Sequence, residues 1–232
     1  MKILAIILAR KNSKRLKKKH HLELDGKSLI DHTFDLLKKT NLFFNIIVST
    51  DDQKILKNVK KKYKSFIPLT RSHHLSKDST NSHEVLIEVY KWYKKNYSKV
   101  DGIFLLQPTS PFRKLSTIKK MINIYKKNKM KRSIVSVNKV KDHPDWMFEI
   151  RKNKLIRFDK KKPIKMSQYL KELYIVNGLG YLLVPKDLLI NKTTIPQNSI
   201  PSVCNSEIES LDIDTIEDLN IARAFKKYFK IS

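Results

Sequence analysis

The fold is decided by the stretch ILAIILARKNSKRLKKKH, residues 3–20. Its first seven residues are apolar or small without alternation, which is typical of a strand buried on both faces of a parallel sheet. The next ten residues include seven Lys or Arg together with Asn12 and Ser13. Because open α/β sheets bind ligands at the carboxyl ends of their strands, this loop is a candidate site for an anion such as a triphosphate. A solvated charged loop is the alternative that the residues alone leave open.

Similar apolar runs recur along the chain and alternate with segments of helical spacing. The runs are NIIVST (45–50), GIFLLQ (102–107), SIVSVN (133–138) and LGYLLV (179–184). Helical spacing is seen at Leu29, Ile30, Phe34 and Leu37, at Val85, Leu86, Val89 and Tyr93, at Ile118, Met121, Ile122 and Tyr125, and over 216–229. This alternation predicts an α/β fold with a doubly wound, mostly parallel sheet covered on both faces.

The length of 232 residues fits one α/β domain over residues 1–232. Residues 141–172 break the strand and helix alternation, since they carry two prolines, much charge and little periodicity. We therefore predict that residues 141–172 form an inserted lid or dimerisation arm within that domain.

The composition is strongly basic, with 49 Lys and Arg against 22 Asp and Glu and a net charge of +27. Such a charge suits a polyanionic partner, but the lysines are spread over the whole sequence and no basic face interleaved with aromatic residues is evident. We interpret most of them as solvated surface and do not expect a nucleic-acid partner, and a basic nucleic-acid-binding protein is kept as the less favoured alternative.

The single cysteine, Cys204, excludes an internal disulfide and favours a reducing compartment. The opening MKILAIILAR has an apolar stretch too short to span a bilayer and no convincing cleavage site. We therefore expect a cytoplasmic protein without a membrane partner.

Two further motifs follow predicted strands or precede the last helix. In QPTSPFR (107–113), two prolines flank hydroxyl side chains and fix a rigid turn, which favours a binding role. In SLDIDT (210–215), Asp212 and Asp214 point to the same side of an extended chain and form a candidate Mg²⁺ site. Capping of the final helix by Asp214 or Thr215 is the alternative. The glycine patterns of a Walker loop and of a dinucleotide-binding fingerprint are both absent.

From about residue 3 to residue 224 the chain resembles the acylneuraminate cytidylyltransferase family, which makes CMP-sialate and CMP-legionaminate. The resemblance is carried, in the family's order, by ILARKNSKRLKKKH, IIVSTDD, LTRSHHLSKDSTNS, LLQPTSPFR, DHPDWMF, NGLGYL and SLDIDTIEDL. It implies a Rossmann-like fold of the nucleotide-diphospho-sugar transferase type. The implied reaction is transfer of CMP from CTP to the anomeric hydroxyl of a nonulosonic acid, with release of pyrophosphate, in a Mg²⁺-dependent homodimer. Cytidylyltransferases for octulosonate and nucleotidyltransferases for sugar 1-phosphates are the alternatives.

The resemblance also implies roles for individual residues. Lys19, Arg10 and Asp214 match catalytic positions, and Asp212 and Asp214 match the ligands of Mg²⁺. The expected nucleotide-binding residues are Arg10, Asn12, Ser13, Lys19, His20, Arg71, Asp78 and Ser82. The expected sugar-binding residues are Gln107, Asn177, Gly178 and Tyr181. Lys11, Lys14 and Lys17 are expected to be solvated surroundings of the phosphate loop.

The chain departs from the family pattern at several positions. Arg15 stands where the family usually has Gly, Lys17 replaces a Pro, and His20 replaces an Asn close to the nucleotide. An arginine would strain the loop if position 15 required a positive φ. The Arg that often precedes the Asn of NGLGYL is missing, so the carboxylate of the sugar acid needs another cation, for which Lys165 and Lys171 are candidates.

Overall fold

A computed structural model describes residues 1–158 and 167–229 of the chain. The strands are β1 (Ile3–Ala9), β2 (Glu23–Leu24), β3 (Lys27–Ser28), β4 (Asn45–Thr50), β5 (Ile67–Thr70), β6 (Gly102–Leu106), β7 (Ile134–Lys139), β8 (Phe148–Arg151), β9 (Lys154–Arg157), β10 (Tyr174–Leu183) and β11 (Ile200–Val203). The α-helices are α1 (Leu29–Lys38), α2 (Gln53–Lys62), α3 (Ser82–Asn96), α4 (Leu115–Lys127), α5 (Pro185–Asn191) and α6 (Ile216–Phe229).

Within these residues, seven strands form one sheet in the order β11-β7-β10-β6-β1-β4-β5. The interior strand β1 pairs in parallel with β4 and β6, while β10 runs antiparallel to both of its neighbours, β6 and β7. The carboxyl ends of β1, β4 and β6 therefore lie at one edge, where the polar segments after each strand meet. The predicted doubly wound, mostly parallel α/β sheet is confirmed.

Both faces of the sheet are covered, as continuous apolar strands require. Helices α1, α2 and α4 pack on one face, and α3 with α5 packs on the other. Every residue of β1 except Leu8 is buried. The side chains of β1 therefore contribute to the hydrophobic cores on both faces of the sheet.

Residues predicted as an arm leave the sheet after β7. Their described part contains the antiparallel hairpin β8-β9, and residues 159–166 of the predicted arm lie outside the described residues. Several large apolar side chains of the hairpin are exposed, including Ile150 (77%) and Leu155 (71%). Among the residues described, no helix is both long enough and apolar enough to cross a bilayer.

Candidate active site

The basic loop after β1 is held in place by the segment that follows the neighbouring strand β4. The backbone N–H of Lys11 donates to Asp51 Oδ1 at 2.7 Å. Nε2 of His21 lies 2.7 Å from Asp52 Oδ2, and Asp52 also caps α2 by accepting from the N–H of Lys54. Because the strands are parallel and adjacent, Asp51 and Asp52 emerge beside the loop and fix both of its ends.

Two cations of this loop pair with Asp78, which lies between β5 and α3. Nη1 of Arg10 is 2.6 Å from Asp78 Oδ1, and Nζ of Lys14 is 3.2 Å from Asp78 Oδ2. Lys14 is exposed, as expected for solvated surroundings of the loop, but it also holds this contact and faces the same pocket as Arg10. The loop is thus joined by ion pairs to the segment that contains the expected nucleotide-binding residues Arg71, Asp78 and Ser82.

Two other cations of the loop pair with Asp214, close to the amino end of α6. Nζ of Lys19 is 2.8 Å from Asp214 Oδ1, and Nη2 of Arg15 is 2.7 Å from Asp214 Oδ2. Arg15 does not have a positive φ, and the left-handed residue of the loop is Lys18 at φ 53°. The arginine that replaces the family's usual Gly therefore causes no backbone strain.

The alternative role of SLDIDT as a helix cap is fulfilled by residues other than Asp214. Oδ2 of Asp218 accepts from the N–H and the hydroxyl of Thr215, and the hydroxyl of Thr215 accepts from the N–H of Asp218. This is the reciprocal arrangement of a capping box. The carboxylate of Asp214 is left to face the loop.

Asp212 is the more buried of the two candidate metal ligands. Burial raises the pKa of its carboxyl, and the nearby Asp214 carboxylate raises it further, while a hydrogen bond from the Thr109 hydroxyl opposes both. Oδ1 of Asp212 is buried and has no hydrogen-bond partner. Ile213 between the two carboxylates is fully buried, and its N–H donates to the carbonyl of Thr109 at 2.9 Å. The two aspartates therefore face one pocket, as the alternation predicted.

These side chains line a first pocket of about 490 Å³ at the carboxyl edge of the sheet. We call it the nucleotide pocket. Its lining includes the predicted residues Arg10, Ser13, Lys19, His20, Arg71, Asp78, Ser82, Gln107, Asp212 and Asp214. The predicted residue Asn12 is exposed and does not belong to the lining, whereas Lys14, Arg15 and Thr109 do.

The nucleotide pocket holds buried polar atoms without partners. Nδ1 of His20, Nε of Arg71 and Oδ1 of Asp212 are three of the seven such side-chain atoms in the described part of the chain. Burial lowers the pKa of His20 to about 3 and that of Arg71 to about 10. An unpaired buried polar group costs roughly 1–3 kcal/mol of stability. Because three such groups lie in one pocket, this pocket is a candidate binding site for a polar ligand.

A second pocket of about 940 Å³ adjoins the first, and Gln107 and Asp212 line both. We call it the sugar pocket. It is lined by all four predicted sugar-binding residues, Gln107, Asn177, Gly178 and Tyr181, and by the apolar Met147, Ile175 and Val176. Met147 comes from the predicted arm, which therefore contributes to the wall.

The floor of the sugar pocket is a bulge in β10 that depends on Gly178. Its φ is +74°, and a Cβ at this position would lie 2.5 Å from Oε1 of Gln107. The positive φ favours glycine, and a larger residue at this position would displace the side-chain amide of Gln107. The amide of Asn177 stabilises the bulge, since its Oδ1 accepts from the N–H of Leu179 at 3.1 Å.

Asn138 on β7 is a pocket residue that the sequence did not predict. The side chain of Asn177 donates to Oδ1 of Asn138, and Nδ2 of Asn138 donates to Oγ of Ser210 at 2.9 Å. This chain joins the β10 bulge to the segment that carries Asp212. The signal that could have indicated Asn138 is a polar residue near the end of an apolar run.

Arg113, the last residue of QPTSPFR, is fully buried beneath the junction of the two pockets. Its guanidinium donates to the carbonyls of Gln107 and Leu179, each at 2.6 Å. Burial lowers the pKa of Arg113 to about 10, while the negative charges of Asp212 and Glu209 raise it. Through these two backbone contacts, Arg113 positions both Gln107 and the β10 bulge.

The two positions immediately before Asn177 are the apolar Ile175 and Val176, so the arginine that the family often has there is missing. The cations that line the sugar pocket are Lys139 and Lys141, which pair with Glu172 and Glu207 respectively. Of the two candidates for carboxylate recognition, Lys171 is exposed outside the lining, and Lys165 lies outside the described residues.

A cationic pocket and an adjoining mixed pocket, both at the carboxyl edge of a doubly wound sheet, are typical of the class of α/β proteins that bind nucleotides and other small ligands. Comparison with known proteins narrows this class. The profile of the family described as Cytidylyltransferase matches residues 4–195. The chain belongs to this family, and its resemblance to acylneuraminate cytidylyltransferases is confirmed.

Three curated relatives are similar over most of the chain. CMP-N,N'-diacetyllegionaminic acid synthase of Legionella pneumophila is 33% identical over 93% of this chain and 92% of its own length. Pseudaminic acid cytidylyltransferase of Campylobacter jejuni is 26% identical over 98% and 97%. N-acylneuraminate cytidylyltransferase of Streptococcus agalactiae is 31% identical over 94% of this chain but 52% of its own length.

Solved structures support the fold. A CMP:2-keto-3-deoxy-manno-octonic acid synthetase complexed with CTP superimposes with a TM-score of 0.69 at 16% identity, covering 98% of this chain and 99% of the other. A 4-diphosphocytidyl-2C-methyl-D-erythritol synthase from Anaerococcus prevotii gives a TM-score of 0.66 at 17% identity, over 97% and 98%. At these identities the likeness establishes a shared Rossmann-like fold.

Proposed function

We propose that this protein transfers CMP from CTP to the anomeric hydroxyl of a nonulosonic acid of the sialic or legionaminic type, releasing pyrophosphate. The observation that carries the proposal is the pair of adjoining pockets that share Gln107 and Asp212. One pocket presents four cations of a single loop, which suits a triphosphate, and the other combines amides with apolar side chains, which suits an acylated sugar acid.

The nucleotide pocket supplies the charge that phosphoryl transfer requires. Little covalent work falls to the protein in such a reaction, and catalysis depends on holding the reactants in line and stabilising negative charge on the phosphates. In this proposal Arg10 and Lys19 bind the phosphates, and the buried Arg71 and His20 contact the nucleoside. Their unpaired nitrogen atoms are then satisfied by the ligand.

The pair Asp212 and Asp214 fits Mg²⁺. Oδ1 of Asp212 is buried without a partner, and both carboxylates face the pocket. Among the described residues no group of three His, Cys, Asp or Glu forms a closed metal site. Two carboxylates leave room for phosphate oxygens and water, which is how proteins usually hold Mg²⁺ at nucleotides. When bound, the ion would neutralise charge on the phosphates.

The legionaminic type is favoured by the wall of the sugar pocket. Met147, Ile175 and Val176 offer an apolar surface for acyl or methyl groups, while Asn138 and Asn177 offer hydrogen bonds. The relative with 33% identity is named for the N,N'-diacetylated legionaminic acid. Carboxylate recognition is assigned in this proposal to Lys139 or Lys141.

A second copy of this chain is the proposed partner of the arm. The hairpin β8-β9 exposes Ile150 and Leu155, and Phe148 beside them is also exposed, which is costly for a monomer in water. We expect a dimer by light scattering at micromolar concentration. The substitutions Ile150→Glu and Leu155→Glu should convert it to a monomer, and a monomeric wild type would contradict this assignment.

The test of function is pyrophosphate release in the presence of Mg²⁺. Each of the four nucleoside triphosphates is offered with N-acetylneuraminate, legionaminate, pseudaminate and octulosonate. We expect release with CTP and one nonulosonate, loss of release in Asp214→Ala, and retention in Lys17→Ala, because Lys17 is exposed and lies outside both pockets. Release with octulosonate alone, or with another triphosphate, would overturn the proposal.

A further inference from the structure

We propose that Arg15 competes with the divalent cation for Asp214 and thereby sets the affinity of the free enzyme for that cation. The inference rests on the proposed function, because it takes Asp212 and Asp214 as the metal ligands. It concerns a residue at which this chain departs from its family, which usually has Gly there.

The ion pairs of Asp214 occupy both of its oxygen atoms. Lys19 contacts Oδ1 at 2.8 Å and Arg15 contacts Oδ2 at 2.7 Å. A divalent cation on this carboxylate would meet a guanidinium on the same group, and like charges this close repel strongly. One of the two cations therefore has to move before the metal ion can bind.

Exposure decides which of the two moves. The side chain of Lys19 is 13% exposed, and that of Arg15 is 68% exposed. Solvent can hydrate a displaced Arg15 guanidinium at little cost, whereas the mostly buried Lys19 loses more when its partner is withdrawn. Arg15 is thus the displaceable partner, and Lys19 remains on Asp214.

The displaced guanidinium stays at the pocket. Arg15 belongs to the lining of the nucleotide pocket together with Arg10, Ser13 and Lys19. An anionic nucleotide that enters this lining attracts Arg15 away from Asp214. Arg15 therefore opposes the cation when the cation binds alone and favours the nucleotide, so its removal should change the two affinities in opposite directions.

The variants Arg15→Gln and Arg15→Lys test this role, with Lys17→Gln as the matched control. Position 15 has an ordinary backbone conformation, so substitution does not strain the loop. Lys17 carries the same charge in the same loop, is exposed and lies outside the pocket lining. Lys17→Gln therefore measures the effect of net charge alone.

Binding of Mn²⁺ to the nucleotide-free protein is measured by electron paramagnetic resonance, and binding of CTP without metal by calorimetry. An arginine within about 4–6 Å of an aspartate shifts the protonation equilibrium of that carboxylate by one to three powers of ten, and the exposure of Arg15 places its effect at the lower end of this range. We expect Arg15→Gln to bind Mn²⁺ about tenfold more tightly than the wild type and CTP several-fold more weakly. Arg15→Lys should resemble the wild type, and Lys17→Gln should change either affinity less than twofold.

Equal changes in Arg15→Gln and Lys17→Gln would overturn the inference, because net charge would then explain both. Unchanged Mn²⁺ affinity in Arg15→Gln, or no Mn²⁺ binding by either protein at millimolar concentration, would overturn it as well. In these cases retained CTP binding leaves the proposed cytidylyltransferase function standing. A wild type that binds neither CTP nor Mn²⁺ would overturn the proposed function together with the inference.

Discussion

The nucleotide pocket and the sugar pocket adjoin each other but are built differently. The first consists of charged groups joined in ion pairs between the loop after β1, the segment after β5 and the segment before α6. The second rests on a bulge in the antiparallel strand β10, and one wall comes from the exposed arm. In the proposed function, charge binds the phosphate chain common to every nucleotide, whereas the shape of the bulge and the arm discriminates between sugars.

This difference predicts that substitutions in the two pockets will affect different kinetic constants. The largest effect is expected in the nucleotide pocket, for Lys19→Ala and Asp214→Ala. Each removes one charge from a preorganised site, which typically costs about 10²–10³ in kcat. Steady-state pyrophosphate release measures the loss, with Lys17→Ala as the control.

Circular dichroism of these variants should be unchanged, because Lys19 and Asp214 lie at the end of the sheet and outside its core. Rates of both variants within tenfold of the wild type would show that the two residues are not part of the catalytic machinery.

The strands of the sheet that are buried on both faces were predicted from the sequence. The bounds predicted for the first two strands agree with β1 and β4, and the periodicity of the later segments located α1, α3, α4 and α6. Helix α2 was not predicted, since its apolar positions are diluted by five lysines. The edge strand β11 was not predicted either, because it has four residues and contains Pro201.

The parts of the candidate site whose residues lie close together in the sequence could be predicted. The alternation of Asp212 and Asp214 already placed both carboxylates on one side. The pairs Arg10 with Asp78 and Arg15 with Asp214 were not predictable, because their partners are far apart in sequence and meet only through the order of the strands. The same holds for Asn138, which becomes a pocket residue only because β10 inserts beside β7.

The second prediction concerns the buried His20 of the nucleotide pocket. Its pKa is lowered to about 3 in the folded protein, mainly by burial, whereas an unfolded histidine titrates near 6.5. The unfolded state therefore binds more protons below pH 6.5, and the stability contributed by the neutral imidazole is lost as the pH falls. The expected loss is about 2 kcal/mol between pH 6.5 and 4.5, because the slope approaches about 1.4 kcal/mol per pH unit only well below pH 6.5.

Urea unfolding at pH 6.5, 5.5 and 4.5 measures this loss, and His20→Asn serves as the comparison. Because asparagine does not titrate, the difference between the two proteins isolates His20 from other groups such as His32, whose pKa is also lowered by burial. Parallel curves for the wild type and His20→Asn would show that His20 is freely protonated in the folded protein.

The third prediction moves to the sugar pocket. Gly178→Ala places a methyl group against Oε1 of Gln107 and strains a φ of +74°. We expect the KM for the sugar to rise about tenfold and the affinity for CTP without sugar to change less than twofold, because Ala tolerates a positive φ poorly. Calorimetry with CTP and steady-state kinetics with the sugar separate these effects, and an equal loss of both affinities would show that the two pockets are not independent.

The smallest effect is expected for the cations at the rim of the sugar pocket. Lys139 and Lys141 line it and are 61% and 68% exposed, so their contact with a sugar carboxylate is screened by water. We expect Lys139→Met or Lys141→Met to raise the KM for the sugar about threefold, while Lys171→Met, outside the lining, leaves it unchanged. An effect of Lys171→Met alone would move carboxylate recognition from the rim of the pocket to the far end of the arm. The contrast between the pockets would then be sharper still, because the arm and not the sheet edge would bind the sugar carboxylate.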